Sequence, residues 1–198
     1  MNEVPDFDDA VLGLGLPAEI EAALREAGAL RGSDPAAAMV HLKRAQSLAP
    51  DHPAVLIALY RHHFYGHRLA AAREIARQAL VVGAHALGLP PAWRSVPGRA
   101  LPGAKTDPRT RFYLFVLKGY AYLSLRLDDA IEARDALVKL RELDPEDRVG
   151  GALIEAVRVR ALVGDPFDDD AGPGLEAHHG PASGAAAWVR ASGRPGLE

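Results

Sequence analysis

The sequence predicts an all-α fold, and three observations carry this prediction. Apolar residues recur three or four positions apart in one segment after another, as they do on one face of an α-helix. Proline, serine, aspartate and glycine interrupt these segments at short intervals, where helices begin and end. No segment shows sustained alternation of apolar and polar residues together with enrichment in β-branched side chains, so strands are not expected.

Two helices open the folded part of the chain. The first begins at Pro17 in "PAEIEAALREAGALR", because proline fits the first turn of a helix. The second, "PAAAMVHLKRAQSL", follows Ser33 or Asp34 as its N-cap and stops before "APDHP".

A third helix from Pro53 to about Tyr65 and a fourth over about 69–85 are joined by a turn at Gly66. The segment 86–110 contains five prolines and three glycines. Proline removes an amide donor and glycine raises the entropic cost of ordering, so we expect no regular structure there. Helical patterns then return in "RTRFYLFVLKGYAYLSLRL", "DDAIEARDALVKLREL" and "VGGALIEAVRVRALV".

These segments place a helical domain at 17–163, between an acidic, flexible leader at 1–16 and a disordered, acidic and glycine-rich tail at 164–198. The net charge of −3 gives no reason to expect a nucleic-acid or anionic membrane partner. The absence of cysteine excludes disulfides, thiolate metal sites and a cysteine nucleophile. No apolar run reaches the ~20 residues that span a bilayer, and no signal peptide is recognised, so we expect a cytoplasmic protein.

Small residues recur at a fixed interval in the helices. Ala38 and Ala45 are followed after 34 residues by Ala72 and Ala79. A related spacing occurs later, at Ala133, Leu137, Leu140 and Pro145. This pattern resembles the second helix of the tetratricopeptide repeat (TPR), whose period is 34 residues. The resemblance covers about 17–163 and implies a TPR-like helical-hairpin solenoid of about three repeats plus a C-terminal capping helix.

The resemblance also implies a function, since such arrays bind a peptide or helix of a partner protein in a concave groove lined by first helices. The groove-facing positions of the second and third units are Ile57, Arg61, Phe64, Tyr65, Phe115, Lys118, Tyr122 and Arg126. This mixture of rings and cations suits an acidic segment. Phe64 and Phe115 have the alternative of packing between repeats. The asparagines of the family's chaperone-tail clamp are missing, because Asn2 is the only asparagine.

A second resemblance concerns the whole chain. The leader ending in "DDAVLGLGLP", the segment "HPAVLIALYRHHFY", the insertion "LGLPPAWRSV" and the helix "RFYLFVLKGYAYLSLRL" are similar to the short bacterial TPR proteins encoded near nitrogen-fixation genes. This resemblance implies a process, an accessory role in nitrogenase maturation, and no particular chemistry.

Three histidines within six residues, His62, His63 and His67, raise the alternative of a metal- or ligand-binding site. His63 and His67 are four residues apart, as in helical zinc sites. Gly66 lies between them at the predicted turn, however, and no acidic residue occurs from 59 to 73. We therefore expect no metal and no cofactor, with His63 half-buried and His62 and His67 at the surface.

The insertion is basic and contains one tryptophan, Trp93. Its charged residues are Arg94, Arg99, Lys105 and Arg109 against the single acid Asp107. Trp93 is predicted to anchor this loop, either by packing it onto the helices or by binding a partner. A further alternative is that the acidic tail segment 165–170 covers the basic loop.

No catalytic constellation is recognised. The motifs GxxxxGK[ST], GxGxxG after a strand and GxSxG are absent, and Ser124 has no acid–base partner nearby in the sequence. Nucleic-acid binding is a third class, but outside the basic loop the chain is acidic and lacks a recognition motif. The sequence therefore predicts a non-enzymatic adaptor for a protein or peptide partner, with no nucleic acid and no membrane. It leaves the oligomeric state open.

Overall fold

The structure, a computed structural model, describes residues 16–104 and 106–163. These residues form seven α-helices and one 3-10 turn and contain no strand, which confirms the all-α class. The predicted tail, and the predicted leader except for residue 16, lie outside the described residues. No helix in the described part of the chain is both long and apolar enough to cross a membrane.

All seven helices lie close to their predicted bounds. They are α1 (Ala18–Leu30), α2 (Pro35–Leu48), α3 (Pro53–Tyr65), α4 (Leu69–Ala86), α5 (Pro108–Arg126), α6 (Ala130–Leu143) and α7 (Gly151–Val163). The side chains of Asp34, Asp107 and Asp129 accept hydrogen bonds from backbone N–H groups in the first turns of α2, α5 and α6. Three helix starts are therefore fixed by the same short carboxylate side chain.

The described helices divide into two compact units between His67 and Arg68. The first unit contains α1, α2 and α3; α1 packs against α2, and α2 contacts α3. The buried residues of α1 and α2 are Ile20, Ala23, Ala27, Ala38, Leu42 and Ala45. Because most of these side chains are small, the two helix backbones approach closely.

The second unit contains α4 to α7 and is built around α5, which contacts the other three helices. From Phe112 to Leu125, only Phe115 and Val116 are not buried. A Cβ atom on Gly83 of α4 would lie 3.2 Å from the rings of Phe112 and Tyr113. A side chain at position 83 would therefore require the two rings to shift, so a glycine suits the close approach of α4 and α5.

The insertion has little regular structure, as predicted, yet its described residues are attached to the helices of the second unit. Its one helical element is the 3-10 turn Trp93–Ser95. The Leu89 N–H donates to the Ala84 carbonyl at 2.8 Å, and the Leu101 N–H donates to the Leu143 carbonyl at 2.9 Å. These contacts fix the insertion at the ends of α4 and α6.

His52 caps α3 with its ring. Its Nδ1 accepts a hydrogen bond from the Ala54 N–H at 3.2 Å, so the neutral ring carries its proton on Nε2. Nε2 is buried and has no hydrogen-bond partner in the described part of the chain. Burial lowers the pKa of His52, because the surroundings disfavour the charged ring.

Replacing His52 with asparagine is expected to make unfolding less sensitive to acid. The folded chain holds His52 with a pKa below the unfolded value of about 6.5. Its contribution to stability is therefore complete above the unfolded pKa and is lost as the pH falls toward the folded pKa. Asparagine keeps the cap but does not titrate. Urea unfolding at pH 7 and pH 5 should show a smaller acid-dependent loss in His52→Asn, by at most about 1.4 kcal/mol per pH unit.

The matched control is His85→Asn, which removes one imidazole from an exposed position on α4. If His52→Asn loses as much stability between pH 7 and pH 5 as the unaltered chain does, the buried cap is not the acid-sensitive group.

Candidate functional site

Four of the predicted groove residues lie on α3, in the first unit. Ile57, Arg61 and Phe64 are half-buried, and Tyr65 is 43% exposed. The rings of Tyr60 and Phe64 stack with their centroids 5.9 Å apart, and Tyr65 meets Phe64 edge-on at 5.5 Å. The C-terminal half of α3 therefore presents an aromatic surface beside one cation.

That cation, Arg61, has no ion pair and no side-chain hydrogen bond within the described residues. Arg31, which lies in the same unit, instead has its guanidinium 5.2 Å from the centre of the Tyr65 ring. An uncompensated guanidinium next to an accessible ring is an arrangement that binds carboxylates, since the ring adds contact area and the guanidinium donates paired hydrogen bonds.

The other four predicted groove residues lie on α5, in the second unit, and two of them are not at its surface. Phe115 and Arg126 are half-buried, whereas Lys118 is 8% exposed and Tyr122 is 2% exposed. The Arg126 Nη1 donates to the Tyr122 hydroxyl at 3.0 Å. The groove assignment therefore needs a correction for Lys118 and Tyr122, which the packing around α5 encloses.

Lys118 makes its contacts inside the second unit. Its Nζ donates a hydrogen bond to the Val149 carbonyl, in the turn before α7, and lies 4.8 Å from the centre of the Phe115 ring. Burial lowers the pKa of Lys118, and the negative charge of Asp147 partly opposes this shift. The ammonium group therefore holds the turn between α6 and α7 rather than facing solvent.

The histidine cluster is placed differently from the prediction in one respect. His63 is half-buried and His67 is exposed on the turn, both as predicted, but His62 is 5% exposed and not at the surface. Adjacent residues of a helix face different directions, so His62 points inward while His63 stays half-buried. The rings of His62 and His63 meet edge-on, with their centroids 5.9 Å apart. In the described part of the chain, no group of three His, Cys, Asp or Glu is placed to hold a metal ion.

Trp93 packs the insertion onto the second unit. Its side chain is 7% exposed and lies 6.2 Å from the Tyr120 ring, between centroids. The Arg94 guanidinium lies 4.2 Å from the Trp93 ring centre and binds the Glu132 carboxylate, with Nη1 donating to Oε1 at 3.2 Å. We call Trp93, Arg94, Tyr120 and Glu132 the insertion latch.

Glu132 is the acceptor that joins the insertion latch, since both Arg94 and the Tyr120 hydroxyl donate to it. Burial by itself would raise the pKa of Glu132, but the two hydrogen bonds outweigh burial and the pKa is lowered. Burial and the hydrogen bond to Glu132 raise the pKa of Tyr120 to about 12. Sequence reasoning missed Glu132, because its place three residues after Asp129 indicates only an acid in the first turn of a helix, and the Arg94 and Tyr120 that donate to it lie 38 and 12 residues away in the sequence.

A shallow, open pocket lies beside the insertion latch. It is lined by Trp93, Arg94, Arg134, Asp135, Val138 and Lys139. Its cations are paired, because Arg134 binds Asp135 at 2.8 Å and Lys139 binds Glu142 at 2.6 Å. The balanced charges give no preference for an anionic ligand. Part of the predicted basic loop is thus neutralised by acids on α6.

Comparison with known proteins gives one relative. The chain is 37% identical over 154 residues to an uncharacterized 19.8 kDa protein in the nifW 5' region of Azotobacter chroococcum mcd 1. The match covers 77% of this chain and 86% of that protein. It supports the resemblance to bacterial proteins encoded near nitrogen-fixation genes. No family model matches the chain. No solved structure matches it either.

Removing the charge of Glu132 is expected to loosen the insertion. In Glu132→Gln, Arg94 loses its carboxylate, and a charged hydrogen bond of this kind contributes about 1–3 kcal/mol, with the low end expected because Arg94 is half exposed. The rate of amide hydrogen exchange over 89–101 should therefore increase. Trp93 should become more exposed to water, so its fluorescence should shift to the red; this is measured in a Trp188→Phe background, where Trp93 is the remaining tryptophan.

The control is Asp135→Asn, which changes the next acid along α6, 3.8 Å from Arg94. This exposed pair should contribute less than about 1 kcal/mol. Equal effects of the two variants would show that the insertion latch does not depend on Glu132.

Proposed function

We propose that this chain, which belongs to the same family as the uncharacterized 19.8 kDa protein in the nifW 5' region of Azotobacter chroococcum, is a non-enzymatic interaction module. Its scaffold is a TPR-like repeat of helical hairpins, and its ligand is a segment of a partner protein. The chain acts as an adaptor or assembly factor rather than as a catalyst.

The burial of the recurring small residues supports the TPR-like scaffold. Ala38 and Ala45 on α2 are 0% exposed, and Ala72 and Ala79 on α4 are 0% and 4% exposed. In a TPR these positions are small because the second helix of each hairpin lies close against its neighbours. The related positions on α6, Ala133, Leu137 and Leu140, are also buried. The spacing of these residues and their burial therefore support the same interpretation on α2, α4 and α6.

The uncompensated charge of Arg61 is the observation that carries the proposed binding activity. Arg61 stands half-buried on α3, next to the aromatic surface that ends at the exposed Tyr65. In the described part of the chain its guanidinium has no carboxylate partner. A partner segment can bring an acidic side chain to Arg61 and place an apolar side chain against the exposed part of Tyr65.

Reversing the charge of Arg61 is expected to weaken partner binding. The natural partner is first recovered with the unaltered full chain by affinity purification from the native host. Binding of that purified partner to Arg61→Glu should fall at least tenfold, on the order of 1.4 kcal/mol. The physical reason is that the acidic segment then meets a carboxylate instead of a guanidinium.

The matched control is Lys43→Glu, which makes the same change of charge at an exposed position on α2 of the same unit. Lys43→Glu should bind as the unaltered chain does. If Arg61→Glu keeps its partner, or if both variants lose it equally, binding does not use the α3 surface.

We further propose that the interaction serves nitrogen fixation, as an accessory step in nitrogenase maturation. The support is the 37% identity to a protein in the nifW 5' region over most of both chains. An adaptor needs no catalytic centre for such a step, because it brings a client and a second protein together.

Deleting the gene is expected to slow growth of its host on dinitrogen and to leave growth on ammonium unchanged. The comparison of growth rates on the two nitrogen sources measures this directly. Complementation with the unaltered gene should restore growth, and complementation with Arg61→Glu should not. A deletion strain that grows equally well on dinitrogen would refute the process while leaving the binding proposal to the preceding test.

A further inference from the structure

The end of α3 presents aromatic rings beside positive charge. Arg61 has no ion pair within the described residues, and Tyr65, one helical turn further on, is 43% exposed. The Arg31 guanidinium lies 5.2 Å from the centre of the Tyr65 ring. We call Arg61, Phe64 and Tyr65 the Arg61 surface. Its chemistry suits a segment that carries a carboxylate and an aromatic ring together.

The acids on α1 are engaged away from this surface. Each contacts a cation on α1 or α2: Glu19 with Arg44 at 2.7 Å, Glu21 with Arg25 at 3.7 Å, and Glu26 with His41 at 2.8 Å. The side chain of Asp34 accepts a hydrogen bond from the Ala37 N–H and caps α2. A carboxylate for Arg61 therefore has to come from outside the described part of the chain, or from another molecule.

The acidic leader carries the required groups within the same chain. Residues 1–16 contain no Lys, Arg or His, and their acids are Glu3, Asp6, Asp8 and Asp9. Phe7 lies among these acids. Side chains two residues apart in an extended segment lie on one side, so Phe7 and Asp9 would be about 6–7 Å apart. Arg61 and Tyr65, four residues apart on a helix, lie about 6 Å apart along its axis. The two pairs therefore match in spacing.

The leader is also long enough to reach the Arg61 surface. The helix α1 has 13 residues and is about 20 Å long. Arg31, which directly follows α1, contacts the Tyr65 ring, so this ring lies at the C-terminal end of α1. Phe7 precedes Leu16 by nine residues, and an extended chain of that length spans about 30 Å. A leader that runs back along α1 therefore reaches Tyr65.

The other acidic segment outside the described residues, 165–170, fits this surface less well. It follows α7, which belongs to the second unit, whereas the leader continues directly into α1 of the first unit. Residues 164–198 also contain four basic or titratable cations of their own, namely His178, His179, Arg190 and Arg194. Charge complementarity and position in the chain therefore both favour the leader.

We propose that the leader occupies the Arg61 surface of its own chain, with the Asp9 carboxylate at Arg61 and the Phe7 ring against Tyr65, and that a partner segment binds by displacing it. This inference rests on the proposed function of the same surface and names its regulation. A tethered ligand has an effective concentration that reaches the millimolar range. A partner with a single weak acidic contact therefore does not displace the leader, whereas a tightly binding segment does, with an apparent affinity lowered by the covered fraction.

Photocrosslinking on the purified full chain tests this occupancy without any partner. The photoreactive residue p-benzoylphenylalanine replaces Phe7, which exchanges one aromatic ring for another. In a second variant it replaces Phe167, the aromatic residue of segment 165–170. Circular dichroism checks that both variants fold. Crosslinked protein that migrates as a single chain is isolated, and mass spectrometry identifies the linked peptides.

The expected result is a crosslink from position 7, and not from position 167, to the C-terminal half of α3. Arg61→Glu should lower its yield on the order of fivefold, as expected for one exposed ion pair, and Asp9→Lys should restore it. The matched control Lys43→Glu should leave the yield unchanged. The proposal is overturned by a crosslink from position 7 to another site or to a second copy, by a crosslink to α3 from position 167, by no crosslink, or by equal yields in Arg61→Glu and Lys43→Glu.

The affinity for the recovered partner tests displacement. Asp9→Asn should raise this affinity about threefold, because the leader then covers the surface in fewer molecules. The matched control is Glu3→Gln, which removes the same charge elsewhere in the leader and should leave the affinity unchanged. Equal affinities of Asp9→Asn and the unaltered chain overturn the displacement.

The two proposals for the Arg61 surface fail separately, because the crosslink requires no partner. A leader crosslink to α3, combined with partner binding that Arg61→Glu does not weaken, contradicts the proposed function alone. Partner binding that Arg61→Glu weakens, combined with no leader crosslink to α3, contradicts the leader occupancy alone.

Discussion

Close packing of helices through small side chains is the constraint on which the rest of the structure depends. Ala38 and Ala45 on α2, Ala72 on α4 and Ala133 on α6 are all 0% exposed. Alanine loses no side-chain entropy when it is buried, and it lets a neighbouring backbone approach. It also contributes little apolar area, because a methyl group is all that each residue removes from water. Most of the buried apolar area must therefore come from larger side chains such as Leu56, Leu80 and Leu117, which are also fully buried.

In the second unit the larger side chains are concentrated on α5. Tyr113 and Tyr120 are both buried there, with different consequences. The Tyr113 hydroxyl has no hydrogen-bond partner within the described residues, and burial raises its pKa to about 12. The Tyr120 hydroxyl donates to Glu132 and so connects α5 to α6 and to the insertion. One tyrosine therefore serves packing alone, while the other also determines where the insertion lies.

Local signals in the sequence predicted the helices well, because prolines and aspartates determine helix starts through contacts within a few residues. Asp34 and Asp129 illustrate this, since each caps the helix that follows it.

The exposure of individual side chains was harder to predict. Lys118 was expected at the surface, but the turn before α7, about thirty residues further on, encloses it. Glu132 was missed for the same reason, since Arg94 lies far from it in the sequence and reaches it only because the insertion folds back. Burial depends on which distant segment covers a residue, and periodicity carries no information about that.

The cations of the described residues differ in whether the fold itself supplies a partner for their charge. Arg94 has a carboxylate within the second unit, and Lys118 has a backbone carbonyl. Lys118 is buried, and a charge that leaves water needs a compensating group, whereas Arg94 is half exposed and its carboxylate partner holds the insertion in place. Arg61 has no such group in the described part of the chain, and it lies beside aromatic side chains that are accessible. A cation next to exposed apolar surface gains most from a ligand that supplies a carboxylate and an apolar side chain together. Under the proposed function, the surface around Arg61 therefore suits an acidic, amphipathic polypeptide better than a small anion, which would leave the aromatic part of this surface in water.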